Sequence, residues 1–285
     1  MSGIYVVGDV HGNYKGLIAS LVAAGWNECA DKLIFVGDVV DRGKENAKVV
    51  NFIAEHQDTV HLVLGNHEYE HRQMLRYYKA LAQSPTVRKL AAWVFLHYKQ
   101  GENIFRTKEE LETLRCSMEE RKKILAARPH TFAGWQKLFI AYTLAWENDG
   151  LWQMVVYLLD NMCGTPYEAE HTIYEYLSGT KRTRESFEAV FENQTQELNI
   201  TPPPGSRFKQ VVVTHNNPFG RVFDYDKDEM LTGHRDTLYV FGHIPHKEIT
   251  RMDRPNSGCT YLDIDTSPYL SLIHISEPTR RVVIS

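Results

Sequence analysis

Short apolar runs and helical segments alternate along the first third of the chain. The runs Ile4–Val7, Leu33–Val36 and Val60–Leu64 are bounded by turn residues, a pattern typical of buried strands. Between them we predict helices over Tyr14–Ala24, where apolar residues recur at helical spacing, and over Lys44–His56. Strands that alternate with helices in this way predict an α/β architecture.

The pattern changes after the third strand and becomes helical over a long middle segment. A capping-box motif, Thr107 followed by Glu110, predicts the start of one helix, which should end before Pro129. Another helix is predicted over Arg184–Leu198. A proline-rich connector at residues 201–205 then leads back to three predicted strands, Gln210–Val213, Thr237–Phe241 and Thr260–Ile264.

We therefore expect an α/β core that is interrupted by a helical insertion. The core is predicted over residues 1–72 and 206–268, the insertion over residues 73–205, and a separate tail over residues 269–285. The chain has 285 residues, of which 43% are hydrophobic, and this is ample for a packed core.

Charge and cysteine usage narrow the class of protein. The formal net charge of -4 gives no support to bulk nucleic-acid binding or to membrane-surface binding. The four cysteines show no paired spacing, so neither a disulfide framework nor a zinc knuckle is indicated. The chain contains no apolar run of about 18 residues. We expect a soluble, cytoplasmic protein.

Residues able to bind metal follow five of the predicted strands. A lone aspartate or histidine in a loop is usually a turn residue, but five such groups at strand ends argue for a site. The carboxyl ends of strands in open α/β sheets bind ligands, so we expect these loops to converge. The five segments are Gly8–Gly12, Gly37–Gly43, Gly65–Glu68, Val213–Asn216 and Phe241–His243.

The residue types in these loops suit two divalent ions. Carboxylates, an amide oxygen and imidazoles, without thiolates, favour manganese, iron, zinc or magnesium over soft metals. Two ions about 3.5–4 Å apart need a bridging carboxylate, for which Asp38 is the natural candidate. Such a pair acidifies a shared water, and the resulting hydroxide can attack phosphorus in line.

Three neighbouring residues could complete the chemistry. Arg42 can hold phosphate oxygens through its forked donors. His67 can protonate the leaving oxygen, and Asp41 can fix the tautomer of that imidazole. The remaining histidines, including His71, are assigned to the surface or the core, and Glu68 is expected to position its own loop.

The motifs Gly-Asp-Val-His-Gly, Gly-Asp-Val-Val-Asp-Arg-Gly and Gly-Asn-His-Glu, followed by a lone histidine and a Gly-His pair, resemble those of calcineurin-like metallophosphoesterases. The Asp-Arg-Gly ending points to the phosphoprotein-phosphatase branch, which includes bacterial and phage Ser/Thr phosphatases and the related diadenosine tetraphosphate hydrolases. The resemblance covers roughly residues 1–72 and 209–266. It implies a two-layer β-sandwich that is flanked by helices and carries its site at one end.

The resemblance also implies a role for each matched residue. His67 would be the general acid paired with Asp41, and Arg42 a phosphate clamp. His246 stands one position beyond the family's second histidine, where this chain has Pro245, and we treat it as a rim residue. Arg221 and Arg235 both fit the place of a second phosphate-binding arginine, and Arg221 is favoured. One ion would be held by Asp9, His11 and Asp38, and the other by Asp38, Asn66, His215 and His243.

We expect a metallophosphoesterase that uses two divalent ions, with manganese favoured. A Ser/Thr-type protein phosphatase or a broad phosphomonoesterase is the first hypothesis. The alternatives are a hydrolase of dinucleoside polyphosphates or 2',3'-cyclic nucleotides and, less favoured, a non-catalytic scaffold. The oligomeric state is not indicated. The segment Leu270–Arg280 resembles translated sequencing-adapter DNA, so we hypothesise that the tail is a non-native read-through.

Overall fold

The computed structural model describes residues 3–83, 166–202, 204–216, 235–266, 271–275 and 282–284, together with residues 85, 88, 89 and 92. Internal contacts divide the chain into two compact units. One unit is Met1–Arg72 with Glu185–Ser285, and the other is Gln73–Arg184. Within the described part of the chain, no helix is both long and apolar enough to cross a membrane.

Three neighbouring strands of the first sheet are parallel, and the last of them lies at the sheet edge. They are β1 (Ile4–Val7), β2 (Lys32–Phe35) and β3 (Val60–Leu62), in that spatial order. Helix α1 (Tyr14–Ala24) links β1 to β2, and helix α2 (Asn46–Glu55) links β2 to β3. The alternation predicted from the hydrophobic pattern is confirmed, with boundaries that agree to within about two residues.

Three helices follow the first sheet in the described sequence. They are α3 (Asn66–Ala82), α4 (Pro166–Ser178) and α5 (Lys181–Glu192). In the second unit, the buried rings of Tyr78 and Tyr176 pack with centroids 5.3 Å apart. The helix predicted from the Thr107 capping box, like most of the predicted insertion, lies outside the described residues.

The second sheet contains five strands, of which the central three are parallel. The strand bounds are β4 Glu197–Ile200, β5 Gln210–Thr214, β6 Thr237–Phe241, β7 Thr250–Arg254 and β8 Cys259–Asp263. The spatial order is β4-β5-β6-β8-β7, and the two edge strands, β4 and β7, run antiparallel to their neighbours.

An apolar core joins the two sheets into a sandwich. Val6 and Ile34 of the first sheet share one buried cluster with Val211 and Val213 of the second. Because side chains alternate along a strand, Val212 points to the other face and packs in a separate cluster. The sandwich flanked by helices that the resemblance implied is therefore confirmed.

The region after α5 differs from the sequence prediction. The helix predicted over Arg184–Leu198 is wrong at its end, because α5 ends at Glu192 and Leu198 lies in strand β4. Leu198 follows Phe191 by two helical turns, so its spacing also fits a helix. Pairing with β5 decides for a strand, which alternates half-buried and exposed residues.

Three further strands were not predicted. Strand β7 pairs antiparallel with β8 at the sheet edge. Two strands in the predicted tail, β9 (Ser271–Ile275) and β10 (Val282–Ile284), extend the first sheet, and β9 pairs antiparallel with β1. The origin of this tail stays a hypothesis.

Candidate metal centre and active site

The loops that follow the parallel strands of both sheets meet at one place. The imidazole Nδ1 of His215, after β5, donates a hydrogen bond to the carbonyl oxygen of Val36, after β2, at 3.1 Å. The backbone N–H of His243, after β6, donates to the carboxylate of Asp9, after β1, at 3.3 Å. Residues that lie far apart in the sequence are thus joined at the carboxyl ends of the strands.

His11, Asp38 and His67 form a first candidate metal-binding group. Their ligand-type atoms lie within 4.8 Å of one another. The Nδ1–H of His11 donates to the carbonyl oxygen of Val40 at 3.0 Å, which leaves a lone pair on Nε2 in the neutral ring. Burial lowers the pKa of His11 to about 4, although the Asp38 charge acts in the opposite direction. His11 is therefore neutral, the form that binds metal.

The Nε2 atom of His11 provides a test of whether a metal fits. It is buried and has no hydrogen-bond partner among the described residues. It lies 4.0 Å from Oδ2 of Asp38, which is too far for a hydrogen bond. A buried ring nitrogen whose lone pair accepts no hydrogen bond is costly, unless a metal ion or another electrophile binds it. The geometry therefore fits a cation between His11 and Asp38.

Asp38, His215 and His243 form a second candidate group with the same spacing. The Nε2 atom of His215 lies 3.3 Å from Oδ1 of Asp38, 2.9 Å from Oδ1 of Asn66 and 3.1 Å from Nδ1 of His243. Burial alone would lower the pKa of His215, but the Asp38 charge outweighs it and raises the pKa to about 9. Positive charge is favoured at this position.

Asp38 lies between the two groups and turns one carboxylate oxygen towards each. Its Oδ2 faces His11 and His67, at 4.0 and 3.7 Å from their Nε2 atoms, while its Oδ1 faces His215. Burial and then the Asp38 charge raise the pKa of the neighbouring Asp9 well above its usual range. Both carboxylates can be ionised together only where positive charge nearby compensates them.

His67 belongs to a buried chain of side chains that continues beyond the residues predicted for the site. Its Nδ1 lies 2.6 Å from Oδ2 of Asp41, as expected. Burial would lower the pKa of His67, but the hydrogen bond to Asp41 and the Asp38 charge raise it to about 9. The other oxygen of Asp41 bonds to Nε2 of His71 at 2.8 Å. His71 had been assigned to the surface or the core, and its position four residues after His67 on a helix is the signal that could have found it.

Glu68 holds the loop that carries Asp38. Its carboxylate accepts hydrogen bonds from the backbone N–H groups of Asp38 at 2.7 Å, Val39 at 2.8 Å, Val40 at 3.3 Å and Gly65 at 3.2 Å. Glu68 thus positions its own loop, as expected, and also the loop after β2. Burial and the Asp38 charge raise its pKa to about 7, so its ionised form depends on positive charge nearby.

The backbone of these loops adopts left-handed conformations that L-residues rarely take. The φ angles are 45° at His11, 49° at Asp38, 71° at Asp41, 60° at Arg42 and 78° at His243. Such angles cost on the order of 1–3 kcal/mol each and persist only where the surroundings enforce them. Strain concentrated at the ends of the strands is typical of a functional site.

A family model for "Calcineurin-like phosphoesterase" matches residues 3–261. The chain belongs to the calcineurin-like phosphoesterase family. Members are metal-dependent phosphoester hydrolases with a dinuclear divalent centre, so the expected family and enzyme class are confirmed at the level of the family.

Curated relatives match a smaller part of this phosphoesterase. A protein of Neisseria gonorrhoeae named "Bis(5'-nucleosyl)-tetraphosphatase, symmetrical" is 38% identical over 64 residues, which are 22% of this chain and 23% of that protein. Proteins of the same name from Nitrosospira multiformis and an Enterobacter species are 42% and 44% identical over 65 and 64 residues. The chain spans about a quarter of the length of these relatives.

Solved structures resemble the phosphoesterase distantly. One, provisionally assigned as a diadenosine tetraphosphatase, has a TM-score of 0.43 and a sequence identity of 14%. The match covers 100% of this chain and 93% of that one. Another, a protein serine/threonine phosphatase from Saccharomyces cerevisiae, has a TM-score of 0.37 and a sequence identity of 10%. The match covers 99% of this chain and 82% of that one. Similarities at this level support no conclusion about substrate.

The other residues predicted for the phosphoesterase site have varied positions. Arg42 is exposed beside Asp41, and its charge contributes to the lowered pKa of His11, after burial. His246 lies outside both candidate metal groups and pairs with Asp263 at 3.1 Å. Arg221 lies outside the described residues. Asp265, which follows β8, was not predicted, and its charge helps to raise the pKa of Asp9, after burial and the Asp38 charge.

Proposed function

We propose that this protein hydrolyses phosphate esters with two divalent ions held at the carboxyl ends of its strands. The observation that carries the proposal is the position of Asp38, whose two oxygens face two separate groups of histidines. A carboxylate placed between two groups of donors in this way could bridge two ions if they were bound there. The buried lone pair of His11 supports the same reading.

We propose that the ligands divide into two sets that share Asp38. When bound, two such ions acidify a water to provide the nucleophile and polarise the phosphoryl oxygens. Oxygen and imidazole donors without thiolate favour a borderline or hard divalent ion, and manganese is our choice. The first set is Asp9, His11 and Asp38, and the second is Asp38, Asn66, His215 and His243.

The chain's own residues would handle the leaving group and the phosphate. His67 carries a proton on Nε2 when charged, and that atom faces the same oxygen of Asp38 as His11 does. It can therefore donate to the departing oxygen, while Asp41 keeps the ring charged and correctly turned. Arg42 is exposed beside Asp41, and we propose that its guanidinium binds phosphate oxygens with Arg221 as its partner.

Phosphomonoesters are the proposed substrate class, with a phosphoprotein or a small phosphoester as the natural partner. A second candidate is a dinucleoside polyphosphate, which is favoured by the names of the curated relatives. The chemistry of the strand ends is common to both, so we propose that the substrate is selected within the predicted insertion, in the part over residues 73–184 that forms a unit of its own.

The test is a manganese-supplemented assay of the purified chain against four substrates. These are p-nitrophenyl phosphate, a phosphoserine peptide, diadenosine tetraphosphate and a 2',3'-cyclic nucleotide, each with a chelated control. Turnover of the first two supports the first candidate, and selective turnover of diadenosine tetraphosphate supports the second. Asp38→Asn should abolish turnover, while Asp253→Asn on the surface should not. No turnover of any substrate by protein that has bound metal would refute the enzyme proposal.

A further inference from the structure

The carboxylate of Asp41 is held by two histidines from the same helix. His67 and His71 lie four residues apart on α3, so both side chains emerge from one face. Nδ1 of His67 reaches one carboxylate oxygen at 2.6 Å, and Nε2 of His71 reaches the other at 2.8 Å. All three side chains are buried, with 0% of Asp41 and of His71 exposed.

His71 is itself held in place on its outer side. Its ring stacks on Phe191 of α5, with centroids 5.1 Å apart and planes 12° from parallel. A carboxylate oxygen only accepts, so Nε2 of His71 must carry the proton in this bond. The ring therefore presents a fixed N–H group to Asp41.

We propose that His71 is a positioning residue for the leaving-group proton, acting through Asp41 on His67. The backbone N–H of Asp41 is already bound, to Oδ1 of Asn46 at 2.9 Å. The bond from His71 to the second carboxylate oxygen opposes rotation of the carboxylate about its Cβ–Cγ bond. Nδ1 of His67 bonds to that carboxylate. The orientation of the carboxylate therefore sets the direction in which Nε2 of His67 points towards the site.

The inference rests on the proposed function, because it requires His67 to be the general acid. The inference goes beyond that function by assigning a role to a residue whose described contacts are with Asp41 and Phe191. A residue with a purely structural role would affect all substrates equally when removed. A residue that aims a general acid affects most those substrates whose leaving oxygen needs a proton.

The experiment compares two amide variants of the full chain, His71→Gln and His71→Asn. Glutamine places its N–H group where Nε2 of histidine lies, whereas the shorter asparagine does not reach that position. Each is assayed with manganese on 2,4-dinitrophenyl phosphate, which has a good leaving group, and on phenyl phosphate, which has a poor one. Bound metal is measured in each variant.

We expect His71→Asn to lower kcat for phenyl phosphate by about 10–30-fold and for 2,4-dinitrophenyl phosphate by less than about 3-fold. His71→Gln should stay within about 3-fold of the parent for both substrates. A tenfold change corresponds to about 1.4 kcal/mol in the barrier. KM and metal content should not change. His56→Asn is a control, since His56 also bonds a carboxylate, that of Glu28 at 3.0 Å, away from the site.

Equal losses on both substrates in His71→Asn, or no loss on either, would overturn the inference. His67→Asn separates this from failure of the proposed function. If His67→Asn shows the selective loss and His71→Asn does not, only the role of His71 is wrong. If His67→Asn shows no selective loss, the general-acid proposal is wrong and the inference falls with it. Should His71→Asn not fold, His71→Phe, which keeps a ring over Phe191 without the N–H group, takes its place.

Discussion

Replacing Glu68 by glutamine should loosen the loop that presents Asp38. In the folded protein, one Glu68 oxygen accepts from the N–H groups of Asp38 and Gly65, and the other from those of Val39 and Val40. Glutamine keeps the size of the side chain but turns one of these acceptors into an NH₂ donor. Two buried N–H groups then face a donor and lose their acceptor.

The size of the effect follows from those two groups. A buried donor left without a partner costs about 1–3 kcal/mol, so Glu68→Gln should lower the free energy of unfolding by roughly 2–6 kcal/mol. The strained backbone at Asp38, with a φ of 49°, has no other described hydrogen bond to hold its N–H group. We therefore expect weaker metal binding as well as lower stability.

Urea unfolding of the manganese-loaded proteins at pH 8 measures the first effect, and metal analysis after dialysis measures the second. Glu70→Gln is the matched control, because it removes the same charge from the same helix and should change stability by less than about 0.5 kcal/mol. If Glu68→Gln unfolded at the parent's urea concentration and retained two ions, the proposed clamp would have no energetic role.

Three further outcomes are expected. His67→Asn should keep its metal while turnover of poor leaving groups falls by about 100-fold or more; loss of metal would instead make His67 a ligand. Gly65→Ala should reduce metal content and lower the unfolding free energy by about 1–3 kcal/mol, because a Cβ there would collide with the amide and carboxylate of Asp38. Gly25→Ala is the control and should keep full metal content, since the space around Gly25 is open. Chelation should lower the melting temperature, and free manganese at 100 times its dissociation constant should restore about 2.7 kcal/mol; a melting temperature independent of manganese would contradict the metal site.

Much of the first sheet could be predicted from local sequence, because its strands are short apolar runs between turn residues. The succession of β1, α1, β2, α2 and β3 along the chain and the bounds of α1 follow from such patterns. The end of α5 could not be predicted, since Leu198 fits a helix and a strand equally well by spacing. Only the bonds offered by β5 decide for the strand.

The sequence by itself determined which residues could carry chemistry: five strand ends with aspartate, asparagine or histidine, four of them beside glycine. It also indicated the pairing of His67 with Asp41, because a histidine that acts as an acid needs a carboxylate behind it. The structure alone decided the rest, since distances between loops depend on how two sheets pack. That packing brings His215 to Asp38, whereas the pairing of β2 with β3 inside the first sheet brings backbone N–H groups to Glu68 and sets His71 against Asp41.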